Sequence, residues 1–161
     1  MKSERIVFLS LLLGLVMSGC SQKLPEGMPK LYPCTVTFVQ GAEPLQDATI
    51  DLLLQEGDTK WNISATTDEE GRAVFMTHGR YKGAPEGKYK VVITKRETGG
   101  KTAKGFTRVY SLIDKKYTNP ATTTLEVEVK EKMDDDTKID LGAPVKKYEV
   151  DRLEPPSKAK G

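Results

Sequence analysis

The residues best suited to chemistry in this chain are its one histidine and a run of three aspartates. His78 directly precedes Gly79, at the end of an expected strand. A single imidazole leaves few bases to activate a nucleophile, and no G-x-S-x-G segment supplies an exposed serine. It also excludes the usual zinc sites, which are built from several histidines. We therefore expect His78 to be an exposed loop residue and the chain to have no catalytic residue.

The run Asp134-Asp135-Asp136 offers carboxylate oxygens of the kind that calcium binds. Calcium loops, however, space their ligands at alternating positions and bend at a glycine. Three consecutive carboxylates point in different directions and also suit a solvated turn. The chain has no glycine loop of the phosphate-binding type either. We expect a polar turn here, no metal site and no cofactor.

Aromatic and basic side chains occur together in residues 97–124, a long segment without a clear strand pattern. Aromatic faces near cations can bind a glycan or an acidic partner. The alternative is that the rings cover the edge of the core while the lysines are solvated. If the segment binds an envelope protein or a glycan, the predicted contact residues are Tyr110, Lys115, Lys116 and Tyr117.

The N-terminus predicts export. Lys2 and Arg5 precede an apolar run at 6–17, which is too short to span a membrane comfortably. The residues before Cys20, M-S-G, resemble the lipobox of bacterial lipoproteins. That resemblance implies a signal peptide at 1–19, lipidation of Cys20 and attachment to a membrane through the lipid. Ser21 follows without an acidic retention signal, which implies the outer membrane, with the periplasmic or surface side left open.

Residues 20–33 carry three prolines and predict an extended tether after the lipidated cysteine. The formal net charge of +2 is too weak to indicate a nucleic-acid partner. Cys34 shares its strand parity with Val36 and Phe38, so it is expected to be a small buried side chain; a reactive thiol is the alternative. A folded domain is expected at 34–150, with a disordered tail at 151–161.

Short runs of alternating apolar and polar residues, separated by turn signals, predict an all-β domain. About seven strands of this kind suggest a single antiparallel β-sandwich. The core is expected to centre on Phe75, Tyr89, Val91 and Val127. The predicted strands lie at 34–40, 48–55, 60–66, 72–77, 88–96, 125–130 and 137–141.

Three motifs occur in a specific order: P-L-x-x-A at 44–48, D-x-x-G-x-A-x-F at 68–75 and G-x-Y-x-V at 87–91. Together they resemble the carboxypeptidase regulatory-like, transthyretin-like β-sandwich domain. The stretch 116–129 is similar to small secreted or lipid-anchored bacterial members. The resemblance implies a prealbumin-like fold and an extracytoplasmic setting. It carries little function with it, because members of the family are mostly not catalytic.

The sequence thus predicts a non-enzymatic, lipid-anchored β-sandwich that serves as a binding or structural module of the cell envelope. The alternative is a glycan-binding or adhesive surface lipoprotein that uses the segment 97–124. An enzyme is the least favoured hypothesis, because the chain lacks the groups that would activate a nucleophile.

Overall fold

The computed structural model describes residues 23–56, 60–134 and 137–153, and these residues form strands and connecting turns. The helical segment among them is one turn of 3-10 helix at Lys115–Tyr117. The strands in chain order are β1 (Leu31–Tyr32), β2 (Thr35–Gln40), β3 (Glu43–Pro44), β4 (Thr49–Leu54), β5 (Ile63–Thr66), β6 (Arg72–Val74), β7 (Met76–Thr77), β8 (Tyr81–Lys82), β9 (Ala84–Pro85), β10 (Gly87–Thr94), β11 (Arg96–Lys101), β12 (Thr107–Ser111), β13 (Glu126–Val129), β14 (Lys138–Asp140) and β15 (Tyr148–Leu153).

The largest sheet is antiparallel, with the strand order β13-β10-β4-β5-β7-β8. Its centre follows from the alternation of apolar side chains in β4 and β10. Ile50 pairs with Ile93, and Leu52 pairs with Val91. All four side chains are buried. The predicted strands at 48–55, 88–96 and 125–130 are therefore confirmed, with bounds that differ by one or two residues at each end.

A second sheet is built around β2, which pairs with β3 and β6 antiparallel and with β14 parallel. Val36 and Phe38 are buried at alternate positions of β2, as the sequence predicted. The inner faces of this sheet and of the six-stranded sheet contribute to a single hydrophobic cluster. The predicted core residues are all members of this cluster: Phe75, Tyr89, Val91 and Val127.

A tight turn at 68–71, closed by a hydrogen bond from the Gly71 N–H to the Asp68 carbonyl at 3.0 Å, joins the two sheets. The carboxylate of Asp68 accepts hydrogen bonds from the backbone N–H groups of Glu70 (3.1 Å) and Arg72 (2.7 Å). The bond from the Arg72 N–H lowers the pKa of Asp68. Gly71 has a φ of +75°, and a Cβ there would lie 2.3 Å from the carbonyl oxygen of Phe38. Only glycine fits that close approach of two backbones.

The expectation that 97–124 lacks regular structure is wrong. β11 and β12 form a hairpin, and β15 adds to it as a third strand. The strand β11 could not be predicted from the sequence because it contains two adjacent glycines. Glycine weakens strands and supplies no side chain to the alternation of apolar and polar residues. A Cβ on Gly99 would lie 3.4 Å from the Tyr110 ring, so this ring packs over the glycine backbone.

Two predicted boundaries also move. β15 extends to Leu153, so residues 151–153 belong to a sheet and not to the predicted disordered tail. β1 lies inside the predicted tether. It pairs with β9 because the backbone at Gly83 approaches the backbone of Tyr32 closely enough for the two strands to form hydrogen bonds. The signal peptide at 1–19, Cys20 and two of the three aspartates, Asp135 and Asp136, lie outside the described residues. Within the described ranges, no helix is long and apolar enough to cross a membrane.

Candidate functional site

The contact residues predicted in 97–124 lie on two different elements. Tyr110 is in β12, while Lys115, Lys116 and Tyr117 form the 3-10 turn. The carboxylate of Asp114 caps this turn by accepting a hydrogen bond from the Lys116 backbone N–H at 3.0 Å. Lys115 and Lys116 are exposed on it.

Tyr117 is buried in the hydrophobic core, so its prediction as an exposed contact residue is wrong. The Nζ atom of Lys116 lies 4.6 Å from the centroid of the Tyr117 ring. The aromatic residue thus fills the core while the lysine covers it, which is the alternative that the sequence left open. Tyr110 is half-buried, with the Nζ atom of Lys147 5.0 Å from its ring centroid.

A concave site lined by aromatic residues lies elsewhere, beside the tether. We call it the tether-end pocket. Its volume is about 320 Å³, close to the lower end of the range of about 300–1,000 Å³ that is usual for ligand sites. It combines apolar and aromatic walls with one lysine and one glutamate. The lining residues are Pro29, Lys30, Tyr32, Leu54, Trp61, Ile63, Pro85, Glu86 and Tyr89.

One wall of the pocket depends on Gly83. Its φ is +98°, and a Cβ there would lie 2.3 Å from the carbonyl oxygen of Tyr32. The glycine N–H donates to the carbonyl of Phe75 at 2.8 Å, and its carbonyl accepts from the buried hydroxyl of Thr77 at 2.7 Å. These contacts bring β1 against β9, where Tyr32 pairs with Ala84.

Tyr89 forms part of the pocket wall. Its hydroxyl donates to the carbonyl of Pro85 at 2.8 Å, which joins the start of β10 to β9. Burial raises the pKa of this phenol to about 12, so the hydroxyl remains a hydrogen-bond donor at neutral pH. Leu54 and Ile63 add apolar surface from β4 and β5.

The two remaining aromatic rings are half-exposed and each has a lysine nearby. The Nζ atom of Lys30 lies 4.7 Å from the Tyr32 ring centroid, and that of Lys60 lies 5.1 Å from the Trp61 ring. The ring of His78 meets the Trp61 ring at a centroid distance of 5.3 Å and an angle of 68°. These contacts restrict the indole, which lies in a loop.

The charged groups at the pocket entrance balance one another. Lys30 forms an ion pair with Glu131 at 3.1 Å, and this hydrogen bond raises the pKa of the lysine. Glu86 projects from the turn between β9 and β10 and is exposed. In the described residues, no group of three His, Cys, Asp or Glu side chains is arranged to hold a metal ion.

Comparison of the chain with models of protein families, with curated proteins and with solved structures found no match. The site must therefore be interpreted from its own geometry.

Sequence reasoning missed this pocket because its aromatic residues are far apart in the chain. The predicted strand at 60–66 includes Trp61, but β5 begins at Ile63 and leaves Trp61 in the preceding loop. Tyr32 was assigned to the tether, and Tyr89 was predicted only as core. His78 is exposed, as expected, and its contact with Trp61 had no signal in the sequence.

Cys34 is buried at 1% exposure, which confirms the expectation of a small core side chain. Desolvation raises the pKa of its thiol to about 12. A thiol that stays protonated at neutral pH is a poor nucleophile, so the reactive alternative is not supported by this environment.

Proposed function

We propose that the chain is a non-enzymatic, lipid-anchored binding module of the bacterial cell envelope, and that it binds its ligand in the tether-end pocket. The observation that carries this proposal is the convergence of Tyr32, Trp61 and Tyr89 on one concave site next to the segment that leads from Cys20. Pockets lined mainly by apolar and aromatic groups, with few charges, are typical binding sites.

The fold we propose is the transthyretin-like β-sandwich that the sequence motifs resemble. Two sheets share one hydrophobic cluster, which is the arrangement of a sandwich. The parallel pairing of β14 with β2 is a departure from a purely antiparallel sandwich. Support for the family rests on the three ordered motifs at 44–48, 68–75 and 87–91.

The anchor determines where the pocket would lie. Cys20 and Lys30 are 30 − 20 = 10 residues apart, and an extended chain spans at most about 3.6 Å per residue. The pocket would therefore remain within about 36 Å of the lipid headgroups. A protein held in this way in the outer membrane would meet ligands that are part of the envelope or that diffuse along it.

The binding function is favoured over catalysis by the groups around the pocket. The one histidine contacts Trp61 by its edge and is itself exposed. The nearby carboxylate is Glu86, and no nucleophilic serine or cysteine lines the pocket within the described residues. Nucleophilic catalysis needs a nucleophile and a base in hydrogen-bond reach.

Trp61 is the one tryptophan of the chain, so a label at this position reports on the pocket. The protein is produced with 5-hydroxytryptophan at position 61, which can be excited apart from the tryptophans of envelope proteins. The mature protein in detergent is titrated with sonicated envelope fragments while the emission of this label is followed. We expect a saturable change. An unchanged spectrum at all fragment concentrations would contradict binding in the pocket.

The anchor is tested separately. Cys20→Ser is expected to abolish palmitate labelling and to release the protein from the membrane fraction or block its processing. Retained labelling in this variant would contradict lipidation at Cys20.

A second candidate function is glycan binding or adhesion through 97–124. The observation that favours it is the number of basic residues around the hairpin, including Lys101, Lys104 and Arg108, beside the half-exposed ring of Tyr110. In this case Tyr110→Ala or Lys115→Ala, and not substitutions in the tether-end pocket, should abolish binding to envelope fragments.

A further inference from the structure

The tether-end pocket continues into a second hollow with different chemistry. The second hollow has a volume of about 400 Å³ and shares Leu54 and Glu86 with the pocket. Its other walls come from Gln55, Glu56, Gly87 and Lys88, so it has no aromatic ring and carries three further polar side chains. The two hollows therefore form one groove, aromatic in its first half and polar in its second, with Glu86 between the halves.

We propose that this groove binds a neutral oligosaccharide, with one sugar ring against Tyr32 and Trp61 and the next ring in the polar hollow. The inference rests on the proposed function, since it names the ligand class of the same site. A pyranose ring has an apolar face of C–H groups and hydroxyls around its edge. It therefore needs a flat apolar surface together with a few well-placed polar groups.

The aromatic half of the groove meets both needs. The indole of Trp61 is flanked by Lys60 and His78, and both contacts favour one orientation of its ring. Its N–H makes no hydrogen bond within the described part of the chain and can donate to a hydroxyl. The Tyr89 hydroxyl is buried and already donates to the carbonyl of Pro85. The acceptor beside this half of the groove is therefore the exposed Glu86.

The charges of the groove favour a neutral ligand. Two lysines, Lys30 and Lys88, are balanced by two glutamates, Glu56 and Glu86. A quaternary ammonium ligand would compete with Lys30 and Lys60, whose ammonium groups already lie near the Tyr32 and Trp61 rings. An anion would approach the two carboxylates, which raises the cost of binding it.

Glu86 is the best-placed group to recognise hydroxyls. It follows Pro85, which is fixed by pairing with Leu31 and by the hydrogen bond from Tyr89. Glu86 lines both hollows, so we infer that its carboxylate accepts hydrogen bonds from the hydroxyls of two successive rings. Hydrogen bonds to an ionised carboxylate are stronger than those between neutral groups.

The test uses the mature protein in a detergent without a sugar headgroup and follows Trp61 emission. The probes are N-acetylglucosamine, its dimer and its trimer, and the matching glucose series. We expect saturable binding of at least one series, with the dimer bound more tightly than the single sugar. Lys88→Ala should weaken the binding of the dimer and leave the binding of the single sugar unchanged.

Glu86 is exposed, so a substitution there keeps the test independent of folding. Glu86→Gln should bind the dimer about ten-fold more weakly, since it loses hydrogen bonds to a charged group. Tyr110→Ala, which removes another half-exposed tyrosine that has a lysine near its ring, serves as the matched control and should bind as the wild type does. Absence of binding in both sugar series, or full binding by Glu86→Gln, would overturn the inference.

The failure of this inference can be told apart from failure of the proposed function. Envelope fragments are heated in dilute acid, which hydrolyses their glycosidic bonds, dialysed to remove the released sugars, and titrated again. We expect the emission change to disappear. A change that survives this hydrolysis overturns the oligosaccharide while preserving binding in the pocket, and no change even with untreated fragments overturns both.

Discussion

Replacing Gly83 by alanine should distort the wall of the tether-end pocket. The added Cβ would lie 2.3 Å from the Tyr32 carbonyl oxygen and 2.8 Å from its carbon. Real Cβ contacts essentially never fall under 3.0 Å, so the two backbones must separate by at least 3.0 − 2.3 = 0.7 Å. A movement of this size weakens the pairing of β1 with β9.

The cost has two parts. An alanine at a φ of +98° is strained, which costs roughly 1–2 kcal/mol. The displaced backbone also weakens the Gly83 hydrogen bonds to Phe75 and Thr77, each worth about 1 kcal/mol. We therefore expect Gly83→Ala to lower the free energy of unfolding by about 3 kcal/mol.

Gly79 supplies a matched control. Its φ is +64°, and a Cβ there would meet nothing within 4 Å. Gly79→Ala should therefore show only the backbone strain, about 1 kcal/mol. Urea unfolding of both variants measures the difference, provided that the slope with denaturant is unchanged. Equal losses in the two variants would refute the close approach of Gly83 to β1.

Other predictions concern the core and its ionisable groups. Phe75→Ala should lower the free energy of unfolding by about 3–5 kcal/mol, because the ring is fully buried; a loss below about 1 kcal/mol in a denaturant melt would contradict its packing. Tyr117→Ala should cost about 3 kcal/mol and Tyr110→Ala much less, and equal costs would mean that Tyr117 is not in the core. Stability should fall as the pH rises above 9 toward about 12, because unfolding lets the buried thiol of Cys34 ionise. The alkaline loss should be smaller in Cys34→Ala, and an unchanged pH profile would exclude this thiol as its source.

The sequence predicted the central strands well because each has one buried face. In β4, the buried Ile50 and Leu52 alternate with Thr49 and Asp51, and burial of one face fixes both the strand and its parity. The same reasoning failed for β11, whose residues R-E-T-G-G-K contain no apolar pattern. That strand is stabilised by pairing with β12 and by the Tyr110 ring. Both contacts form only in the folded hairpin, so they leave no pattern in the sequence of β11 itself.

The candidate site was not predictable by the same means. Tyr32 and Tyr89 are 89 − 32 = 57 residues apart. They meet because Gly83 allows β9 to approach β1, which no periodicity encodes. The closeness of basic and aromatic residues along the chain predicted Tyr117 as a contact residue instead, but this side chain is buried in the core. Residues that are close in the sequence therefore need not lie on the same surface, because strand pairing decides which loops lie together.

The most direct test of the proposed binding site compares Tyr32→Ala with Tyr110→Ala in titrations with envelope fragments, followed by the emission of the 5-hydroxytryptophan label at position 61. Both tyrosines are half-exposed and have a lysine ammonium about 5 Å from the ring centroid, so the two variants remove similar groups from the two candidate sites. Glu86→Gln accompanies them as an exposed pocket variant whose folding is not in question. We predict that Tyr32→Ala and Glu86→Gln bind at least about ten-fold more weakly while Tyr110→Ala binds normally. Loss of binding in Tyr110→Ala alone would contradict the account and place the ligand on the hairpin.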